Sequence, residues 1–116
     1  MLFLHYPSWT SSRKAKAWLD EHNIEYELRL IHKDNPKADE VRKWMAISGL
    51  ELKRFFNTNS KLYKEMNLKE KWDSLSEDEL LEILGSDGMI HKRPVLVGND
   101  FALTGFKIKE WEEKLG

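Results

Sequence analysis

Residues 1–19, Met-Leu-Phe-Leu-His-Tyr-Pro-Ser-Trp-Thr-Ser-Ser-Arg-Lys-Ala-Lys-Ala-Trp-Leu, decide the fold, because they join a strand to a helix through a short polar loop. Met1–Tyr6 is a mainly apolar run, which is typical of a buried strand. Pro7 ends this strand, and Thr10 or Ser11 can cap the helix that follows. The apolar face of that helix falls at i, i+3, i+4 and i+7, and its residues are Ala15, Trp18, Leu19 and His22.

A second strand follows the first helix. Asn23 is a plausible helix stop, and residues 26–30 then alternate between apolar and charged side chains. Such alternation is typical of a half-buried strand. A strand, a helix and a strand at this spacing predict a right-handed βαβ unit with parallel strands.

The middle of the chain reads as helical and the end returns to strands. Helix starts are predicted at Asn35-Pro36, at Ser60 and at the capping box Ser76–Glu79, with helix stops at Gly49 and Gly85. Pro94–Val97 predicts a strand, Gly98-Asn99-Asp100 a hairpin turn, and residues 101–103 the returning strand. A last helix carries Ile108, Trp111 and Leu115 on one face. This order predicts a small mixed sheet with helices on its faces.

Composition narrows the class of protein. A chain of 116 residues is one domain of modest size, and 41% hydrophobic residues supply a core. Charged residues make up 34% but nearly cancel, to a formal −1, so nothing indicates direct binding of nucleic acid. No apolar run approaches the roughly 18 residues of a membrane helix, and we expect a cytoplasmic protein with no membrane partner.

Cysteine is absent from the chain. Disulfides, thiolate metal sites and cysteine nucleophiles are therefore excluded. The four histidines, at positions 5, 22, 32 and 91, show no metal-ligand spacing, so we expect neither a metal nor a cofactor.

Five segments resemble one known family throughout the chain. Residues 7–19, 52–58, 63–68, 86–97 and 103–106 are similar, in order and register, to motifs of the ArsC/Spx family, which comprises arsenate-reductase-like proteins and the Spx transcriptional regulators. The resemblance implies an α/β, thioredoxin-like mixed four-stranded sheet with an inserted helical subdomain. It places the single domain at 1–116, its thioredoxin-like core at 1–32 and 87–116, and the helical insertion at 33–86.

The same resemblance assigns the site. In the family a first cysteine stands at the position of Trp9, and a second, when present, at that of Ser12. Basic residues that hold an oxyanion in the reductases match Arg93 and fall near Asn57 and Gly105, so only Arg93 is retained. The resemblance further implies a cis peptide bond before Pro94. We expect no thiol catalysis from this chain.

The loop after the first strand has two interpretations. Its helix N-terminus, with Thr10, Ser11, Ser12 and Arg13, could bind an anion together with Arg93, or these residues could only cap the helix. Trp9 could stack on a ligand or anchor a partner, or it could fold back over a sheet edge. A serine nucleophile would be Ser12 with His5 as base, but no carboxylate is placed to orient His5, and a backbone partner is the simpler expectation for it.

Two functions from different classes follow. The first is a family member without a catalytic thiol, which acts by binding a protein or a small anion, with a role in transcription or stress regulation. The resemblance to Spx allows the C-terminal domain of the RNA polymerase α-subunit as its partner. The alternative is an oxidoreductase of the arsenate-reductase type whose cysteines are lost or replaced at Trp9 and Ser12.

Overall fold

The computed structural model describes residues 1–116, and a four-stranded mixed sheet lies at its centre. The strands are β1 (Leu2–His5), β2 (Glu27–Leu30), β3 (Val95–Val97) and β4 (Ala102–Thr104), in the order β2-β1-β3-β4. β1 runs parallel to β2, with Phe3 opposite Leu28, and antiparallel to β3, with Phe3 opposite Leu96. β3 and β4 form an antiparallel hairpin. This is the thioredoxin-like arrangement that the resemblance implies.

Six helices accompany the sheet. They are α1 (Thr10–Glu21), α2 (Ala38–Ser48), α3 (Lys61–Glu65), α4 (Leu68–Lys71), α5 (Glu77–Ser86) and α6 (Ile108–Leu115). Short 3-10 turns cover Leu52–Phe55, Trp72–Ser74 and Gly88–Ile90. None of the helices has the length and apolar character needed to cross a membrane.

Two hydrophobic clusters lie on opposite faces of the sheet. One joins α1 and α6 to the sheet and contains Phe3, Ala15, Trp18, Leu19, Leu96 and Trp111. The larger cluster joins the sheet to the segment between β2 and β3, with Leu4 and Val95 on the sheet side and Trp44, Phe55 and Leu84 on the other. Helices α2–α5 therefore complete the sheet's core, while the boundaries 33–86 for an inserted subdomain stay a prediction.

Several helix ends lie where local sequence predicts them. Asn23 and Gly49 have φ values of +55° and +74°, so both end their helices in the left-handed conformation. The Ser60 hydroxyl accepts a hydrogen bond from the Tyr63 N–H (3.1 Å). Ser76 and Glu79 form the predicted capping box.

Three other helix ends differ from the prediction. The residue that precedes α1 is Trp9, and no side chain caps this helix, so neither Thr10 nor Ser11 is its cap. α2 begins after Lys37 and not after Asn35, whose amide donates to the Gly85 carbonyl (2.7 Å). α5 continues through Gly85 to Ser86.

Candidate functional site

Three segments meet at one end of the sheet: the carboxyl end of β1, the start of α1 and the start of β3. The Arg93–Pro94 peptide bond, which leads into β3, is cis. Residues 55–57 run beside this segment, since the Lys92 N–H donates to the Phe55 carbonyl (2.7 Å) and the Asn57 N–H donates to the Ile90 carbonyl (2.8 Å). Residues 55–57 thus hold in place the residues that lead into β3.

Arg93 is held in this corner with most of its side chain buried. It is 7% exposed, and its Nη1 donates to the carbonyls of Met89 (2.9 Å) and His91 (3.4 Å). Its Nε is buried without a hydrogen-bond partner. Burial lowers the pKa of the guanidinium. The charge is therefore only partly compensated by protein groups, which leaves it able to attract an anion.

Trp9 packs against Arg93. The guanidinium carbon lies 4.6 Å from the centroid of the Trp9 ring and 4.9 Å from that of Tyr6. These distances fit cation–π contacts with both rings. Trp9 remains 38% exposed. The indole thus covers the Arg93 guanidinium while part of its surface faces the solvent.

Ser12 is turned into the protein. It is fully buried, and its hydroxyl hydrogen-bonds the His5 Nδ1 (2.6 Å) and accepts from the Tyr6 N–H (3.0 Å). The expected backbone partner of His5 is therefore wrong: its ring pairs with a side chain seven residues away. No carboxylate hydrogen-bonds the His5 ring, and burial lowers its pKa. The pair ties β1 to α1 and does not present a serine nucleophile to the solvent.

A pocket of about 290 Å³ opens beside Arg93 and Trp9. We name it the Arg93 pocket and define it by Trp9, Ser11, Lys92, Arg93, Thr104 and Lys107. None of its lining residues carries a carboxylate. A second cavity, of about 430 Å³, shares Trp9 and Arg93 and does include two acids, Glu65 and Asp87. The Arg93 pocket is thus the more positive of the two.

Lys92 and Thr104 add to the chemistry of the Arg93 pocket. Burial, followed by the positive charges of Lys107 and Arg54, lowers the pKa of Lys92. The Thr104 hydroxyl is buried without a hydrogen-bond partner. A buried hydroxyl without a hydrogen-bond partner costs free energy.

The predicted anion-binding residues are only partly brought together. Ser11 and Arg93 line the same pocket. Arg13 donates instead to the Pro7 carbonyl (3.0 Å) and to the Thr10 hydroxyl (3.4 Å), and both Thr10 and Arg13 are exposed outside the pocket. The Ser12 hydroxyl points the other way, toward His5.

Three pocket residues were not predicted from the sequence. Lys92 and Thr104 lie inside two of the motifs, where they were interpreted only as markers of the fold, and Lys107 directly precedes α6. Gly105, beside them, has φ of +74°, and a Cβ there would lie 3.1 Å from the Lys92 Cε. Asn57 and Gly105 line the pocket without adding a charge. No group of three histidine or acidic side chains lies close enough together to hold a metal ion.

Comparison with known proteins identifies the family. The model of the ArsC family matches residues 4–114, nearly the whole chain. The chain belongs to the ArsC family. The membership agrees with the order of the four strands.

Relatives in the ArsC family include regulators. The chain is 44% identical to the uncharacterized protein YusI of Bacillus subtilis over 97% of this chain and 96% of that one. It is 33% identical to the global transcriptional regulator Spx of Staphylococcus aureus, over 90% of this chain and 78% of Spx. Among solved structures, an ArsC family related protein from Bacteroides fragilis superimposes with a TM-score of 0.91 and 46% identity, over 97% of this chain and 94% of that one.

Proposed function

We propose that this ArsC-family chain acts by binding rather than by thiol chemistry, and that it holds a small oxyanion in the Arg93 pocket. The observation that carries the proposal is the pocket's composition: Lys92, Arg93 and Lys107 meet there with no carboxylate in the lining. The Arg93 Nε and the Thr104 hydroxyl have no hydrogen-bond partner within the protein. Charge-assisted hydrogen bonds to an anion are stronger than those between neutral groups.

The chain lacks the nucleophile that catalysis of the reductase type requires. Thiolate attack is the first step of thiol–disulfide chemistry, and the chain contains no sulfur at either family position. Trp9 fills one position with an indole, and Ser12 fills the other with a hydroxyl that is already hydrogen-bonded inside the protein. An anion in the pocket would therefore be bound and not reduced.

A titration with sulfate, phosphate or arsenate at constant ionic strength tests this proposal. We expect saturable amide shifts at residues 11, 92–93 and 104–107, with millimolar to sub-millimolar affinity, because ordering the ion offsets part of the electrostatic gain. Arg93→Ala and Thr104→Val should both weaken binding. Arg13→Ala is the matched control, since Arg13 is an exposed arginine outside the pocket.

The outcome that contradicts the proposal is clear. If sulfate gives no saturable response, or if Arg93→Ala and Arg13→Ala bind it equally well, the Arg93 pocket does not hold an anion. Raised salt should compete with the anion, because partly exposed charges are screened.

A second candidate function is regulation through a protein partner, and the 33% identity to the regulator Spx favours it. We propose the C-terminal domain of the RNA polymerase α-subunit as that partner. The test is titration of labelled chain with this purified domain, followed by amide shifts and calorimetry. Saturable binding supports the proposal. An unchanged spectrum at high concentrations of the domain rules this partner out.

A further inference from the structure

A groove of about 490 Å³ opens on the helical side of the molecule and shares no lining residue with the Arg93 pocket. Its apolar lining comes from α2, the two 3-10 turns after it and α5, and consists of Met45, Leu52, Trp72, Leu75 and Leu80. Leu52 and Leu80 belong to the larger core cluster, and the other three pack against that cluster while partly exposed. We name this feature the Trp72 groove. It is a place where the hydrophobic core reaches the surface.

The Trp72 side chain is held in place by contacts with two other residues. Its ring packs edge-on against Phe56, with centroids 5.1 Å apart and planes at 85°. Lys53 places its Nζ 5.4 Å from the centroid of the Trp72 ring. The indole is therefore fixed as one wall of the groove, and a ligand would not have to order it.

The rim of the Trp72 groove is acidic. Glu51, Asp73 and Glu77 are exposed around it, and none of the three takes part in an ion pair. By contrast, Asp78, the next residue of α5, pairs with Arg42. Lys53 is the only basic residue of the lining. The groove thus combines an apolar floor with three rim acids that form no salt bridge, against one lysine.

We infer that the Trp72 groove docks a basic amphipathic segment of a protein partner. An apolar side chain of that segment lies between Trp72 and Leu80, and its lysine or arginine side chains face the three rim acids. Amphipathic segments bind grooves in this way, with anchors at helical spacing. The same rim repels nucleic acid and anionic lipid, since like charges brought together at an interface oppose association. The inference depends neither on the anion proposal nor on the identity of the polymerase domain.

The probe is a synthetic helical peptide with leucine at positions i, i+3, i+4 and i+7 and lysine elsewhere. A second peptide has glutamate in place of each lysine. We expect amide shifts at residues 45, 52, 72–75 and 80 with the lysine peptide, and far weaker ones with the glutamate peptide. Equal binding of the two peptides, or shifts confined to other residues, would overturn the inference without requiring any variant.

Variants test the contributions of the acidic rim and of the apolar floor to peptide binding separately. Asp73→Lys should weaken binding of the lysine peptide about fivefold, because it replaces an attraction at the rim by a repulsion. Leu75→Glu should abolish binding by adding a charge to the apolar lining. Asp100→Lys, in the exposed β3–β4 turn, is the matched control and should bind like the parent. If Asp73→Lys and Asp100→Lys bind equally, or if sedimentation shows that a second copy of the chain covers the groove, the inference is wrong.

Discussion

His91 should make the stability of this protein depend on pH between about 4 and 6.5. Its ring is completely buried, and its Nδ1 hydrogen-bonds the Lys92 carbonyl (2.8 Å). The Nε2 is buried with no partner, so a second proton would have no acceptor. Burial lowers the pKa of His91 to about 4, and the positive charges of Arg93 and Arg29 act in the same direction.

The direction and the size of the change in the free energy of unfolding follow from proton linkage. Below pH 6.5 the unfolded chain binds a proton at this histidine that the folded chain does not, so the free energy of unfolding falls as the pH falls. With pKa values of about 4 folded and about 6.5 unfolded, the loss is about 2 kcal/mol by pH 5 and about 3 kcal/mol by pH 4. Above pH 7 the residue should contribute no pH dependence.

Urea unfolding at pH 7.5 and pH 5.0, followed by tryptophan fluorescence, measures this loss. His91→Asn cannot titrate, and its amide can still donate to the Lys92 carbonyl, so it should lose about 2 kcal/mol less than the parent over this interval. Asn99→Ser, in the exposed β3–β4 turn, removes no titrating group and is the control, which should keep the parent's pH dependence. Equal losses in His91→Asn and the parent would refute the reasoning. Should His91→Asn not fold, an NMR titration of the parent's His91 ring decides, since a pKa near 6.5 would also refute it.

Three further predictions concern the site and its surroundings. The chain should show no arsenate reduction with glutathione or thioredoxin as electron donor; turnover above a blank that Ser12→Ala abolishes would instead make the serine catalytic. In denaturant melts Ser12→Ala should cost about 1–3 kcal/mol, because His5 Nδ1 and the Tyr6 N–H lose their shared partner; an unchanged midpoint would contradict this. Gly105→Ala should cost about 1–2 kcal/mol by the same assay, since a residue with a Cβ is strained at its φ of +74°; an unchanged midpoint would contradict this reasoning.

The parts of the fold that depend on neighbouring residues could be predicted from the sequence. The period of two in residues 26–30 and the helical period after Thr10 indicated the βαβ unit, because buried faces repeat with the backbone geometry. Gly49 and Asn23 marked helix ends, since a left-handed residue is a local requirement. The family motifs then supplied the sheet order and the cis bond before Pro94, which local patterns do not contain.

Contacts between residues that are not neighbours in the sequence determined which partners the polar side chains have. Asn35 was predicted to cap α2, but its amide binds the Gly85 carbonyl, 50 residues away, and local propensity carries no information about such a partner. Ser12 was a candidate anion donor until the fold placed its hydroxyl against His5. Both side chains have partners that only the folded chain brings within hydrogen-bond distance.

The sequence by itself determined that the chain has no thiol, and the resemblance of its motifs to a known family implied the thioredoxin-like ArsC fold that the structure and the family model show. Only the tertiary structure placed Trp9 over Arg93, 84 positions later in the chain, and gathered Lys92, Thr104 and Lys107 into one pocket. The physical reason is that the net charge of a pocket, and the hydrogen bonds open to its side chains, depend on which residues the fold brings close together. That proximity is set by sheet pairing and core packing, and it cannot be read from residue types along the chain.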